Sequence, residues 1–522
     1  MSILIPPMIP YPRHPTLRGI RRGDLREQTK FGYVNAVTIY MHAESNSCFL
    51  TLQLTLSVHN TKPIILPSSK QNGRSILSLR NVVTLMKWWC ETMSNKSRSV
   101  NDIAWASLFD KYDILEQIRQ TGVFEISAAQ IKEIREPRLM VKFDHSVNLP
   151  NIFSENNLAI LPITRGNYII SSFKAYHTFE DTPSPMIKLT LPPHLQSLEE
   201  NHIPSEAIAL NCATAAGIMA DFLDDEYLVP TVSGRMGSGQ FSFNITNSMN
   251  RSTFYLSVNN AQIEIDAAYE GINGLALIEA KRDLSEDFLI RQLYYPYRVW
   301  KDKITKPVRP IFFVYSNGIF HLYEYVFQEP HNYNSLTLVN RKKYTIEDTA
   351  ITVADIESIL TSTRVLREPN ISFPQADSFA RIINLCELLG ERELSRDEVT
   401  SSYAFNERQT NYYTDAARYL GLLEKRKENT MPYYSLTRKG RTILCQSFKK
   451  RQLSYVDCIL SHQVFNAVLR QYFATGNMPV ADKIINIMQN SGIYGIESES
   501  TFERRSSTVR SWVYWIINLI NE

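Results

Sequence analysis

In GLALIEAKRD, residues 274–283, an apolar run ends in Glu-x-Lys. Leu275, Ala276, Leu277 and Ile278 are apolar at both parities and charge closes the run, the pattern of a short central strand buried on both faces. Alternate residues of a strand point the same way, so Glu279 and Lys281 share one side at its polar end. Upstream, residues 257–274 read SVNNAQIEIDAAYEGING, where Ile263 and Ile265 alternate and a glycine-rich turn signal follows. That segment reads as a strand antiparallel to the first, ended or bulged at Asp266. The hairpin would bring Asp266, Glu279 and Lys281 together.

Two carboxylates offer hard oxygen ligands to Mg²⁺, which keeps several waters and takes one or two carboxylates plus phosphate oxygens. Such an ion acidifies water and offsets charge developing on phosphate. An ammonium beside it can steer the attacking water or stabilise the transition state, and low dielectric strengthens both effects. This arrangement resembles the core of the PD-(D/E)XK nuclease superfamily. The resemblance implies metal ligands at Asp266 and Glu279 and a lysine, Lys281, that assists the nucleophile; Ile265 stands where a proline usually precedes the first acid. It also implies a helix after the Glu-x-Lys strand with a glutamine facing the site, and Gln292 fits that role. Residues 285–300, SEDFLIRQLYYPYRVW, have Phe288, Leu289 and Leu293 at helical spacing, with Pro296 expected to kink or end the helix. Next, RPIFFVYSNGIFHLYEY, residues 309–325, reads as strand, Asn-Gly turn, strand. The three residues alone would also suit an ordinary solvated strand end; the order strand, helix, strand favours the nuclease reading.

Residues 205–223, SEAIALNCATAAGIMADFL, read as a buried helix capped by Ser205. In the resembled fold such a helix precedes the hairpin and can add an acid; Glu206 and Glu226 are both candidates. The glycine-rich loop 231–245, TVSGRMGSGQFSFNI, carries Arg235, which reads equally as a phosphate contact on DNA or as part of a plain turn.

At 522 residues the chain suits several domains. Its 44% hydrophobic and 21% charged content is ordinary for a soluble protein, and no apolar run approaches membrane length. The six cysteines form no Cys-x-x-Cys pair, so reduced thiols, no zinc site and a cytoplasmic location are expected. Net charge is +3, and residues 371–522 hold 19 Lys or Arg against 16 Asp or Glu, which accounts for all of that excess.

In that basic third, Ser395 and Glu398 stand in capping-box register. A second helix, 407–420, places Gln409, Tyr413, Ala416 and Leu420 on one side and Glu407, Arg408, Asn411, Thr414, Asp415 and Arg418 on the outward side. A hairpin with a basic tip follows, Lys425 to Lys427. Helix, turn, helix, wing is a winged helix-turn-helix, whose second helix would put Arg408, Asn411 and Arg418 on DNA, although such modules also bind proteins. Further helices, around 463–473 and 480–489, precede an apolar stripe of Val509, Trp512, Val513 and Ile516, either another helix-turn-helix or a cap on the winged helix.

Toward the N-terminus, 31–39 and 48–58 read as strands, 80–93 as an amphipathic helix, and 114–134 as two helices around a glycine. Arg135, Arg138 and Lys142 follow, on phosphates or facing solvent. This half resembles the N-terminal halves of some large type II restriction enzymes. There is no Gly-x-x-x-x-Gly-Lys-Ser/Thr loop for a nucleotide and no methyltransferase signature.

The expected architecture is therefore α/β and multidomain. An α+β recognition or scaffold region spans 1–195, a PD-(D/E)XK mixed sheet flanked by helices 196–345, a linker 346–370, a winged helix-turn-helix 371–450 and a second helical unit 451–522. The expected function is a sequence-specific, Mg²⁺-dependent endonuclease of the type II restriction class acting on double-stranded DNA. A separate cognate DNA methyltransferase is expected, homodimerisation is left open, and no membrane or nucleotide cofactor is involved. A DNA-binding regulator or a repair-type nuclease is the alternative.

Overall fold

The computed structural model describes residues 99–522 except 181–183, 201–202, 404, 497 and 522. Before residue 99 it describes only the strands Arg22–Leu25, Gln28–Thr29, Gly32–Tyr33, Val37–Tyr40 and Thr55–Leu56. Two compact units result, Met1–Ser97 and Arg98–Glu522. In the first, Arg22–Leu25, Val37–Tyr40 and Thr55–Leu56 pair antiparallel. The helix expected over 80–93 lies outside the described residues.

The second unit is mixed α/β. Its centre is a seven-stranded mixed sheet in the order Met186–Lys188, Leu336–Thr345, Ile319–Phe327, Val308–Ser316, Leu275–Lys281, Ala267–Glu270, Val229–Pro230. Leu275–Lys281 runs antiparallel to Ala267–Glu270 and parallel to Val308–Ser316. The parallel pair needs a crossover, which the helix Arg291–Lys301 supplies. Every residue from Leu275 to Ala280 is buried. Leu275 and Leu277 join one core with Leu293, Phe312 and the hairpin residues Phe241 and Phe243. Ala276, Ile278 and Ala280 join the other, under the helices Glu206–Ala215 and Ile218–Leu223. The strand is thus covered on both faces, as its unbroken apolar run requires.

Some local details differ from the sequence reading. Asp287–Leu289 is a strand paired with Tyr176–Thr178, and the following helix runs through Pro296 to Lys301. Pro296 lies in the second turn, so its missing N–H removes a single backbone bond without stopping the helix. Residues 124–127 form a strand, not helix, in an antiparallel sheet with Asn167–Ser171 and Ala159–Pro162. The segment 346–370, expected as a linker, carries the helix Val353–Ser362, and its Ile356 and Leu360 are buried in the C-terminal core.

That core is continuous from Ile351 to Ile516, so the two expected C-terminal units share one interior. The helices Phe379–Glu391, Arg396–Ser402 and Glu407–Tyr419 pack with a three-stranded antiparallel sheet in the order Leu394–Ser395, Met431–Leu436, Leu423–Glu428. Val509, Trp512, Val513 and Ile516 of the last helix, Glu499–Ile517, are all fully buried. Ser395 and Glu398 form the expected capping box.

The backbone N–H of Ser395, then Arg392 and the Ser395 hydroxyl, hold the Glu398 carboxyl down at about 2 from its ordinary 4.5. A depressed carboxylate stabilises the fold above its ordinary value, and that contribution is lost as pH falls toward the depressed one. Glu398→Gln should therefore lower the melting midpoint at neutral pH, and the gap from the parent should close as the pH is taken below 4.5 toward 2. A gap unchanged with pH would leave the shape of the cap, not its charge, as the stabilising feature.

Candidate functional site

At the polar end of Leu275–Lys281 the sequence pattern becomes geometry. Glu279 and Lys281 lie on the same side of the strand as Leu275 and Leu277, facing the helix Arg291–Lys301. Lys281 Nζ donates to Glu279 Oε1 at 2.6 Å, and Gln292 Nε2 donates to the same oxygen at 2.6 Å. The register Ala267↔Ile278 continues to place Asp266 across from Glu279, and Asp266 Oδ2 accepts the Ala280 N–H at 2.8 Å. Asp266 is itself a bend between the strands Gln262–Ile265 and Ala267–Glu270. All four expected site residues, Asp266, Glu279, Lys281 and Gln292, thus meet at one sheet end.

Burial pushes the Glu279 carboxyl up to about 7 against the pull of Lys281, and the charge on Asp266 adds to the rise. Burial alone would lower the Lys281 ammonium, but Glu279, Asp144 and Asp266 outweigh it and hold the amine charged. Gln292 Oε1 is buried with no hydrogen-bond partner, an acceptor left open beside the carboxylates.

Glu206, at the start of its Ser205-capped helix, also feels this cluster. Burial raises its carboxyl, Lys281 opposes the rise, and Asp266 and Asp283 add to it. Glu226 is exposed. Its neighbour Asp225 accepts the Asn273 N–H at 2.9 Å, at the turn end of the hairpin, far along the strand from Lys281. Of the two candidates, only Glu206 is placed with the site.

Three residues escaped the sequence reading. Asp144 Oδ2 lies 4.0 Å from Lys281 Nζ. His145, 5% exposed, sits with Nε2 3.1 Å from Asp283 Oδ2 and Nδ1 2.6 Å from the Asp287 carbonyl oxygen. Burial opposes a charge on His145, but Asp283 outweighs it and raises its pKa. The only signal was the Asp-His pair at the end of REPRLMVKFDHS, more than a hundred residues from Asp266.

The expected DNA-contacting residues are Arg235, on the strand paired with Gln262–Ile265, and three residues of the helix Glu407–Tyr419. Arg235 is exposed and pairs with Glu264 at 3.1 Å. On the helix Glu407–Tyr419, Arg408 and Asn411 are exposed, with Arg408 Nε donating to Tyr412 Oη. Thr414, expected on the outward side, is fully buried. Arg418 is half-buried and pairs with Asp415 at 2.6 Å.

The described residues include no group of three or more His, Cys, Asp or Glu side chains arranged to hold a metal ion. Nor, among them, is any helix long and apolar enough to cross a membrane. Residues 102–170 match the domain of unknown function DUF6996, residues 171–345 the domain of unknown function DUF6997, and residues 381–521 the domain of unknown function DUF7226. No curated protein and no solved structure matches the chain.

A buried pair that loses one member leaves an uncompensated charge, so single substitutions should cost more than their combination. Lys281→Met should lower the melting midpoint, and adding Glu279→Gln should recover part of the loss, with a coupling on the order of 1 kcal/mol or more in thermal unfolding. Strictly additive losses would mean that the two side chains do not share a site.

Proposed function

We propose that the chain is a sequence-specific, Mg²⁺-dependent endonuclease of the type II restriction class that hydrolyses phosphodiester bonds in double-stranded DNA. The observation carrying this reading is the convergence of Asp266, Glu279, Lys281 and Gln292 at the end of one buried strand. The order of elements also supports it: a buried helix, an antiparallel hairpin, a crossover helix and a parallel strand follow the PD-(D/E)XK plan. In the C-terminal third, three helices and a three-stranded sheet in winged-helix order are consistent with a DNA-reading module.

The donor set fits Mg²⁺. Asp266 and Glu279 would offer the ion hard oxygen ligands, and the open amide oxygen of Gln292 stands beside Glu279; Mg²⁺ characteristically needs only one or two carboxylates with water and phosphate oxygens. When bound there, the ion would make water more acidic and offset charge on the scissile phosphate. The Lys281 amine, held charged by its acids, steers the attacking oxygen and stabilises negative charge on the phosphate. Gln292 fixes the Glu279 carboxylate through its amide N–H. A separate cognate methyltransferase would protect the host's own sites.

Purified protein with Mg²⁺ should cut duplex DNA. Asp266→Ala and Glu279→Ala should abolish cutting while leaving DNA binding within a few-fold of the parent. Lys281→Ala should slow cutting by about 100-fold or more, and Lys281→Arg should not rescue it, because a planar guanidinium cannot copy a compact ammonium. Substantial cutting by either acid variant removes that residue from the site. A protein that binds duplex but never cuts with Mg²⁺ or Mn²⁺ is a DNA-binding regulator instead.

The winged helix gives a separate expectation. Arg408→Ala or Asn411→Ala should weaken duplex binding or relax the recognised sequence, since one good bidentate base contact is worth about 1–3 kcal/mol. Unchanged affinity and an unchanged cleavage pattern for both would make this unit a protein-interaction module.

A further inference from the structure

Between the first helices of the central unit and Asp266, the chain builds a β-ribbon. The strands Gln240–Thr246 and Thr253–Asn259 pair antiparallel along their whole length. Below them, Gly234–Gly237 pairs with Gln262–Ile265, which runs directly into Asp266. One face is anchored. Phe241, Phe243, Ile245, Leu256 and Val258 are buried with Tyr294 and Tyr295 of the crossover helix, and Arg298 of that helix donates to the Ser242 carbonyl oxygen at 2.9 Å.

The other face is open, and its chemistry is unusual for a solvated surface. Its cross-strand pairs are Gln240 with Asn259, Ser242 with Ser257, Asn244 with Tyr255, and Thr246 with Thr253. Tyr255 is 71% exposed. From residue 231 to 263 the sequence contains no Asp, Glu or Lys, and its only charges are Arg235 and Arg251. Arg251 is exposed at the ribbon tip, in a turn where its φ is 60° and where Asn247 Oδ1 accepts the Met249 N–H at 2.8 Å. An ordinary solvated face mixes lysine with carboxylates. This one offers amides, hydroxyls, one aromatic ring and two arginines, and the acid beside them, Glu264, is paired with Arg235.

Resting on the reading of the chain as a DNA-cutting protein, we propose that the outward face of this ribbon enters the major groove of duplex DNA and reads bases, chiefly through Asn244, Tyr255, Gln240 and Asn259. A two-stranded ribbon fits that groove, and Asn or Gln amides match the donor and acceptor edge of adenine. Arg251 at the tip and Arg235 at the base bind flanking phosphates. The exposed Arg235–Glu264 pair is no obstacle, because exposed ion pairs contribute little to stability. Anchoring by aromatic residues and continuity with Asp266 fix the distance from the bases read to the bond cut.

The test uses the full chain carrying Asp266→Ala, so that binding is measured without cutting, and a pool of random-sequence duplexes from which bound molecules are selected and sequenced. Asn244→Ala, Tyr255→Ala and the pair Gln240→Ala with Asn259→Ala are then compared, each with its melting midpoint. These side chains face solvent, so the midpoints should stay with the parent. Affinity for the selected duplex should fall about 10-fold or more, or the preferred base at one or two positions should change, while affinity for unselected duplex falls less. Variants that select the same sequence with the same affinity overturn the ribbon as reader and leave the nuclease reading standing. A chain with intact Asp266 that neither binds nor cuts any duplex overturns both.

Discussion

The central unit depends on one constraint: a strand buried on both faces must end somewhere, and it ends here in an ion pair. Leu275 to Ala280 have no solvent-facing side, so the chain has to supply helices below, and a crossover helix and ribbon above. The first polar residue of the run, Glu279, consequently emerges where water is already excluded. Its burial is what raises its carboxyl toward neutrality, and what makes Lys281 and Gln292 necessary partners. The same packing that builds the sheet sets the electrostatics of its end.

Segments far apart in sequence close on that end. Asp144 and His145 come from the upstream α+β region, and Asp283 receives His145 just past the strand. From the C-terminal unit, Asn384 Nδ2 donates to the Arg282 carbonyl oxygen at 2.6 Å, and its Oδ1 accepts the Leu284 N–H at 3.1 Å. Glu387, one turn on, accepts from the Ser316 hydroxyl at 2.7 Å and from the Asn317 N–H at 2.8 Å. Arg282 and Leu284, one and three residues past Lys281, are therefore held by a helix from the unit that carries Arg408. A change in how that helix sits would be felt within three residues of Lys281.

Legibility followed the physics of each pattern. Leu275 to Lys281 could be read because burial on both faces leaves an unbroken apolar run, and Asn317-Gly318 because a tight hairpin needs positive φ, found here at 53° and 76°. Gln292 was found through a resemblance, since nothing in its own neighbourhood marks it as facing Glu279. Asp144, His145 and Asn384 were not legible, because their partners lie across domain contacts that carry no period in sequence. Thr414 was misplaced because helical spacing sorts residues into faces but does not say which faces the rest of the fold will cover. The start at Arg291, rather than near Ser285, reflects tertiary pairing of Asp287–Leu289 with Tyr176–Thr178 overriding an adequate helical pattern.

Charge around Lys281 also bears on how the proposed site would work. Glu279, Asp266, Asp144, Asp283 and Glu206 all act on this end of the sheet, where the cations are Lys281, Arg282 and a His145 already engaged with Asp283. Such a cluster repels a phosphate backbone, and more strongly for being partly desolvated. On the proposed function, a divalent cation must therefore reduce that charge before or while DNA reaches the scissile position. On the same reading, the ribbon and the helix Glu407–Tyr419, both with arginines on open faces, would engage the duplex without that condition. Binding and cutting would then separate naturally: recognition surfaces hold DNA with or without metal, and the acidic strand end admits the phosphate only when its carboxylates are neutralised.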